Sequence, residues 1–366
     1  MMIGQPPAHA WGEAQRQEHL MNRRCGANRG FTIVEIMVVI SIIAVLLGLL
    51  LPALSGVKKR SRKAQEINAI RQVGLAWNLY ANANNGAALP GYLETAVQEH
   101  WKVGYEYPDG TTIPPAPNYT GDNIAGPWTW RLLPHLDNAL VMLHGYRDLI
   151  SHDLVQDWQN ADLSDPYTQS IRLVAELVAT EPAFGYNAYY VGGWWAMVDF
   201  NGTLIPRYRF YGATIPSFGT PGGSPRRVSV VVRSVAQIRR SSELVIFCSS
   251  AELPPMTALQ YHKLQDNVPG SHLVIPPFLA EELQWKTAGA GPGPGSVPGG
   301  GISVAGSGDP STLEVVVDTS APIGRYTGNV AVLYADGHSN SQTPGTLVDQ
   351  RKWINIADQG GFQHQK

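Results

Sequence analysis

The longest apolar run of the chain lies close to its N-terminus. It extends over 22 residues from Ile36 to Val57 without Asp, Glu, Lys or Arg, and no other stretch is apolar over such a length. As an α-helix it would span about 33 Å, close to the roughly 30 Å hydrocarbon core of a bilayer. The pattern predicts one membrane-spanning helix that carries a domain of about 300 residues outside the membrane.

A second apolar pattern follows directly and has helical spacing. Five basic residues between Lys58 and Lys63 end the uncharged run. Beyond them, apolar side chains recur every three or four residues, at Ile67, Ile70, Val73, Trp77 and Tyr80. This spacing places them on one face of a helix, and Asn84-Asn85-Gly86 is a typical helix stop. We therefore predict that the helix continues past the membrane and packs this face on its own globular domain.

The rest of the chain predicts an α+β fold with a mainly antiparallel sheet. Residues 130–150 and 169–180 have helical spacing, whereas residues 90–127, rich in Pro, Gly and Asn, indicate surface loops. The Gly/Pro-rich tract 288–308 predicts an exposed loop. Short strand-type segments follow one another without long helices between them, which favours antiparallel pairing. They are residues 186–191, 194–200, 207–212, 227–235, 243–249, 313–319 and 329–335.

Composition excludes several classes of function. The formal net charge is −2, so the chain as a whole has no basic excess of the kind that binds nucleic acid. Its two cysteines, Cys25 and Cys248, exclude a disulfide-dense scaffold and a Cys-rich metal site, and Cys248 in an apolar strand predicts a small buried residue. No HExxH, GxSxG, phosphate-loop or EF-hand motif is present, so no cofactor is expected. His144 and His152 are expected in surface or capping positions.

An ordinary signal peptide is one alternative for the N-terminus, since Arg23, Arg24 and Arg29 precede the apolar run. Two features argue against it. The run is longer than the usual apolar segment of about 7–15 residues, and no A-x-A-like cleavage site closes it.

The residues before the apolar run carry a more specific pattern. Arg29-Gly30-Phe31-Thr32-Ile33-Val34-Glu35 presents a small residue, a Phe and then a carboxylate four residues further on. The pattern resembles the type IV prepilin signature, in which a dedicated membrane peptidase cuts after the Gly and the exposed Phe is N-methylated. If Phe31 is the first mature residue, Glu35 is the fifth, as in pilins, and Pro52 falls where pilin helices often carry a proline. The resemblance covers roughly residues 29–85.

The resemblance implies a role for each of these residues. Gly30 and Phe31 would form the processing site of the prepilin peptidase, and Phe31 would be N-methylated. Glu35 of one subunit would pair with the freed amine of Phe31 in a like or related pilin subunit and so guide assembly. A carboxylate inside a membrane costs about 2.5–3.5 kcal/mol on scales derived from membrane insertion, so a partner for Glu35 is expected. The alternative is that Glu35 is simply exposed among the lipid headgroups. Pro52 lacks a backbone donor and should kink the helix.

The resemblance also implies a domain organisation. Residues 1–30 would be a removed leader, 31–57 the transmembrane half of the helix, 58–86 its amphipathic half, and 87–366 an extracytoplasmic domain. The basic cluster after the membrane segment would by charge bias alone face the cytoplasm. The prepilin peptidase, however, acts at the cytoplasmic face. The expected protein therefore crosses the inner membrane once, with its leader in the cytoplasm and its domain outside.

A second resemblance lies at the C-terminus. The segment from Asn329 to His338 predicts a strand running into an Asp336-Gly337 turn, and it looks like the closing motif of a large pilin-like family common in planctomycetes. In that family nine residues separate a His from the Asp-Gly pair, whereas this chain has Tyr326 at the position of the His. Weaker matches are Gly185-Tyr186-Asn187 and the segment 242–247. Asp336 is interpreted as a turn residue in preference to a calcium ligand, and no metal is expected.

Two classes of function remain. The first is a non-enzymatic pilin- or pseudopilin-like structural subunit of a type II secretion or type IV pilus-like apparatus. The second is a membrane-tethered surface module that binds polysaccharide or another polymer and uses the prepilin signal for export. Tryptophans presented on loops would favour the second class, if their rings were coplanar and exposed; the candidates are Trp128, Trp130, Trp194 and Trp195.

Overall fold

The structure of the protein is a computed structural model that describes residues 32–107, 110–113, 123–137, 139–144, 166–210, 212–215, 226–253, 269–280, 282–283, 285–287, 313–315 and 319–365. The chain divides into two compact units, Met1–Gly56 and Val57–Lys366. The tract 288–308 and His152 lie outside the described residues.

Helices and strands alternate irregularly along the described part of the chain. The helices are α1 (Ile33–Ala83), α2 (Thr95–Trp101), α3 (Thr129–Leu132), α4 (Leu140–His144) and α5 (Pro166–Thr180). The strands are β1 (Tyr92–Leu93), β2 (Phe184–Tyr186), β3 (Trp194–Phe200), β4 (Thr203–Tyr208), β5 (Ala213–Ile215), β6 (Arg226–Val228), β7 (Val245–Leu253), β8 (Phe278–Leu279), β9 (Glu282–Leu283), β10 (Trp285–Thr287), β11 (Leu313–Val315), β12 (Thr319–Pro322), β13 (Val330–Tyr334) and β14 (Ser339–Gln342).

The main sheet is antiparallel and is built around β7. Its strand order is β12–β7–β13–β14, and β2 also pairs with β7. The described residues of β7 from Val245 to Ala251 and all five residues of β13 are buried. Continuous burial agrees with the apolar runs Val245–Cys248 and Val330–Leu333, which do not alternate with polar residues. The predicted α+β class with an antiparallel-rich sheet is confirmed.

The second half of α1 forms part of the core of this domain. Ile70, Val73 and Trp77 are at most 1% exposed, and Ile67 and Tyr80 are partly buried against the same core. Burying side chains of this size contributes about 1.5–3 kcal/mol each. The predicted apolar face is therefore confirmed, and so is the helix stop: α1 ends at Ala83, and Asn85 and Gly86 adopt positive φ angles.

Close packing holds α1 on the sheet. A Cβ atom added to Gly74 would lie 2.6 Å from Cδ2 of the buried Leu333 in β13, so any larger residue would displace that side chain. Three residues further on, the indole Nε1 of Trp77 donates to the hydroxyl of Tyr186 in β2, at 3.2 Å. That hydroxyl in turn donates to the carbonyl of Leu89, at 2.9 Å. Burial of the hydroxyl raises the pKa of Tyr186 far above its usual value.

A buried ion pair anchors the membrane-proximal end of the same face. Lys63 Nζ lies 2.8 Å from Glu66 Oε2, and both residues are buried. Glu66 Oε1 accepts a hydrogen bond from Ser249 in β7 at 2.6 Å, and Lys63 donates to the carbonyl of Asn329 at 2.7 Å. Lys63 is therefore not a solvated member of the basic cluster but part of the domain interior. A buried pair whose remaining hydrogen bonds are satisfied fixes the register between helix and sheet.

Three predicted strand boundaries were wrong. The expected strand 227–235 is a strand only as β6, which ends at Val228, and Val235 begins a 3₁₀ segment. The expected strand 186–191 ends at Tyr186, since the buried amide of Asn187 donates to the carbonyls of Val245 and Trp353 and turns the chain. The expected strand 207–212 instead begins at Thr203 as β4. Asn201 and Gly202 both have positive φ, which is the two-residue hairpin geometry that joins β3 directly to β4.

Two further predictions were also corrected. Residues 90–127 are not only surface loops, because they contain β1 and α2, and Leu93 and Val97 are buried in the core. The expected helix 130–150 is divided within its described part into α3, a 3₁₀ segment Leu133–Leu136 and α4. Pro134 in the 3₁₀ segment and the left-handed conformation of Asp137 interrupt the helix.

Asp336 and Gly337 lie in the tight turn that joins β13 to β14. Gly337 has a φ of +88°, and the amide of Tyr334 donates to the carbonyl of His338. The Asp336 carboxylate accepts from the backbone N–H of His338 at 3.1 Å and lies 2.6 Å from its ring Nδ1. Partial burial raises the pKa of Asp336, but these two hydrogen bonds and the charge of His338 lower it more. Within the described ranges, no three His, Cys, Asp or Glu side chains group closely enough to hold a metal ion.

We predict that Glu66→Ala will lower the free energy of unfolding by about 3–5 kcal/mol, because it leaves the Lys63 ammonium buried without its carboxylate. Chemical denaturation of the full chain in nonionic detergent, followed by tryptophan fluorescence, measures this effect. The exposed Arg71 on the same helix provides the control, and Arg71→Ala should change stability by less than about 0.5 kcal/mol. Equal stability of Glu66→Ala and Arg71→Ala would contradict the structural role of the ion pair.

We predict that Asp336→Asn will be nearly neutral, because Asn accepts the same hydrogen bond from the His338 amide and is tolerated in the same turns. Calcium should leave the melting temperature of both wild type and variant unchanged. A rise with calcium in the wild type that is absent in Asp336→Asn would identify a metal site instead of a turn, through the linkage of binding to stability.

Candidate functional site

The predicted processing junction borders the start of α1. Gly30 and Phe31 lie outside the described residues, which begin at Thr32. The helix begins at Ile33, so the peptide bond between Gly30 and Phe31 precedes the first helical residue by only two positions. Of the predicted site residues in this region, Glu35 is described together with its surroundings.

Glu35 closes a reciprocal capping box with Thr32. Its Oε2 atom accepts hydrogen bonds from the Thr32 amide at 2.8 Å and from the Thr32 hydroxyl at 2.9 Å. In return, the Glu35 amide donates to the Thr32 hydroxyl at 3.2 Å. This arrangement satisfies backbone donors that have no partner within the helix, and it places a negative charge at the positive end of the helix dipole. The carboxylate is therefore fixed close to the new N-terminus that cleavage after Gly30 would create.

The first half of α1 presents apolar side chains in every direction. The large apolar residues from Ile33 to Val57 are between 47% and 75% exposed. Among the described residues, α1 is the helix that is long and apolar enough to cross a membrane. Exposure of this much apolar surface is unfavourable in water, so this half requires lipid or other apolar helices around it. The hydroxyl of Ser41 is satisfied inside the helix by the carbonyl of Met37, at 2.7 Å.

Pro52 lies inside the bounds of α1, which extend without a break from Ile33 to Ala83. A proline in a helix interior removes one backbone donor and crowds the carbonyl four residues earlier. The local bend expected there stays a prediction.

The four candidate tryptophans do not form a coplanar, exposed platform. Trp128 and Trp130 are at most 3% exposed and belong to the core. Trp194 and Trp195 are half-buried, and each contacts other rings: Trp194 lies on Tyr92 at a centroid distance of 4.3 Å, and Trp195 meets Tyr208 edge-on at 4.8 Å. Trp128 and Trp130 are therefore core residues and are not presented on loops.

Two other sequence-based interpretations concern single residues. His144 is completely buried in the last turn of α4, so the surface alternative is wrong, whereas the capping alternative stays a prediction. Cys248 is completely buried in β7, as predicted, and burial raises the pKa of its thiol. Tyr326 is also buried.

The overall net charge concealed a local concentration of arginine. Residues 207–240 contain seven arginines and no Asp, Glu or Lys. Two of them, Arg233 and Arg239, line a pocket of about 410 Å³ together with Gln237 and Asn355. This concentration of arginine can be seen in the sequence, but the net charge of the whole chain does not show it, because acidic residues elsewhere cancel the positive charge.

Comparison with known proteins gives one similarity. Residues 25–51 match the family model described as the prokaryotic N-terminal methylation motif. No curated protein and no solved structure matches the chain. The match includes Gly30, Phe31 and Glu35 and ends before Pro52, and it does not extend to the C-terminal segment that resembles the planctomycete family. The chain therefore carries a prepilin-type N-terminal methylation motif on an apolar helix, which supports a membrane-anchored, type IV pilin-like protein.

Proposed function

We propose that this protein is a pilin- or pseudopilin-like structural subunit of a type II secretion or type IV pilus-like apparatus. The observation that carries the proposal is the methylation motif at residues 25–51, which directly adjoins a helix whose first half is apolar on all sides. Such a surface is suited to lipid before assembly and to neighbouring apolar helices after it. The role is structural and requires no cofactor and no catalytic residue of its own.

Processing is the first step of the proposed function. The prepilin peptidase would cut between Gly30 and Phe31, and residues 1–30 would be removed. The cut frees the α-amino group of Phe31, which is then N-methylated and retains its positive charge. In a low-dielectric environment this cation and the Glu35 carboxylate attract each other strongly, and pairing offsets the cost of placing either one there alone.

The capping box gives Glu35 two distinct tasks. Within one chain its carboxylate closes the start of α1 through Thr32. Between chains, the same carboxylate would pair with the Phe31 amine of a like or related subunit and set the stagger between them. The second task needs the negative charge, whereas the first needs only a hydrogen-bond acceptor. This difference makes the two tasks experimentally separable.

The second half of α1 links assembly to the globular domain. Because Ile70, Val73 and Trp77 are buried in the core and Lys63 and Glu66 anchor the helix, the domain cannot detach from residues 58–86 without unfolding. A subunit assembled through residues 31–57 would therefore display the domain of residues 87–366 by a continuous helix. The proposed localisation is the inner membrane, with the leader cytoplasmic and the domain outside.

We predict that Gly30→Glu will block processing, because a bulky charged side chain does not fit the position before the scissile bond. Mass spectrometry and N-terminal sequencing of the membrane fraction, in a host with prepilin peptidase, distinguish the precursor from the mature chain. Gly26→Glu places the same charge in the leader away from the junction and should be processed normally. Wild-type protein that retains Arg29 at maturity would refute the assignment of the junction.

We predict that Glu35→Gln and Glu35→Leu will both insert into the membrane but will both incorporate poorly into assemblies. Gln preserves the acceptor for Thr32 and removes the charge, whereas Leu removes both, so equal defects would assign the effect to the charge. Co-purification of differently tagged subunits measures incorporation, and Thr32→Ser, which retains the capping hydroxyl, serves as the control. If Glu35→Gln co-purifies like wild type, the carboxylate acts only as a helix cap.

A further inference from the structure

The pocket at Arg233 and Arg239 is the strongest unassigned feature of the domain. Its volume of about 410 Å³ lies in the range of small-ligand sites. Its walls combine the apolar side chains of Val230 and Ile356 with polar groups on one side. The pocket belongs to the globular domain and has no part in the proposed assembly role of the N-terminal helix.

Hydrogen bonds make the frame of the pocket rigid. Gln237 Oε1 accepts from the amide of Arg233 at 2.8 Å, and Asn355 Oδ1 accepts from the amide of Arg239 at 2.8 Å. Asn355 Nδ2 also donates to the carbonyl of Gln237 at 2.8 Å. The carbonyl of Arg233 also accepts a hydrogen bond from the amide of Ala88. The two amide side chains therefore fix the backbone that carries both arginines, so little ordering of that backbone is needed on binding.

The positive charge of the two guanidinium groups is not neutralised by a described carboxylate. Arg233 and Arg239 are exposed residues, and among the described residues no carboxylate forms an ion pair with either. The chain contains no Asp or Glu between Asp199 and Glu243, so no local acidic residue competes within that segment. Guanidinium groups bind planar oxyanions through two parallel N–H···O bonds, and carboxylate is a typical partner.

A row of aromatic side chains continues from the pocket. The guanidinium of Arg233 lies over the ring of Tyr208, 5.3 Å from its centroid. Trp195 contacts Tyr208 at 4.8 Å, and Trp101 contacts Trp195 at 4.8 Å. Trp101 is 39% exposed and Trp195 is half-buried, so ring surface faces the solvent at the far end of the row. Aromatic rings offer a rigid apolar surface with a polar edge at little cost in conformational entropy.

We propose that this surface binds an acidic oligosaccharide, with the carboxylate of one uronic acid unit between Arg233 and Arg239. The pocket accommodates one sugar ring, and the adjoining units extend along Tyr208 and Trp195 to Trp101. Sugar rings present both hydroxyl groups and apolar C–H faces, and therefore match a surface that combines guanidinium groups with aromatic rings. An acidic peptide would use the arginines but would make less use of the aromatic row, so the oligosaccharide is favoured.

Isothermal titration calorimetry of the full chain in nonionic detergent tests the proposal with trigalacturonic acid as the probe. Wild-type protein should bind it at least tenfold more tightly than the neutral trisaccharide maltotriose. Arg239→Gln should weaken binding about tenfold to a hundredfold, since one charge-assisted pair is lost. Arg239→Lys should also weaken it, because lysine retains the charge but not the planar fork. Arg71→Gln removes an exposed arginine elsewhere and should change the Kd less than about twofold.

Trp101→Ala separates the sugar proposal from simple anion binding. It should weaken the trisaccharide severalfold and leave the binding of inorganic phosphate unchanged. Equal losses for Arg71→Gln and Arg239→Gln, or no binding of trigalacturonic acid by a protein with wild-type circular dichroism, would overturn the proposal. It would also be overturned if hexaglutamate bound as tightly as the trisaccharide, which would indicate an acidic peptide.

Discussion

The buried face of α1 is the constraint on which the globular domain depends. Between Lys63 and Ala81 this helix supplies an essential wall of the core, and it contacts three strands of the main sheet through Ser249, Leu333 and Tyr186. Glycine at position 74 brings the backbone of the helix close to β13, and the Lys63–Glu66 pair fixes its position along the sheet. A sheet with apolar residues on both faces requires such a cover, because its strands cannot leave either face in water.

The same helix has to satisfy two different environments. Its first half is apolar on all sides, and its second half has one apolar face and one polar face. The change occurs at the basic cluster, where Lys58, Lys59 and Arg60 are exposed but Lys63 turns into the domain. A helix divided in this way suits a protein that is held in a membrane or an assembly by one half and presents a folded domain with the other.

The roles proposed for the N-terminus and for the domain surface rest on different physical effects. At the N-terminus, one carboxylate is kept at the start of a helix by Thr32, where a charge is costly without a partner. At the surface pocket, a frame of amide hydrogen bonds fixes the backbone that carries Arg233 and Arg239. In both proposals, a charged group that the fold holds in place pairs with another molecule.

The sequence by itself determined the features that depend on local pattern. Hydrophobic periodicity and turn chemistry act over short distances in the sequence. They predict the apolar run, the helical stripe of Ile70, Val73 and Trp77, the helix stop at Asn84–Gly86 and the strands around Cys248. Only the tertiary structure decided the rest. These features depend on partners up to 266 residues away in the chain. They are the burial of Glu66, Lys63 and Trp128, the turn at Asn187 and the placement of Arg233 and Arg239 in one pocket. A polar side chain has no preference for the interior until the fold supplies its hydrogen-bond partners, and the indole N–H of a tryptophan needs such a partner too, so these positions could not be recognised from local sequence.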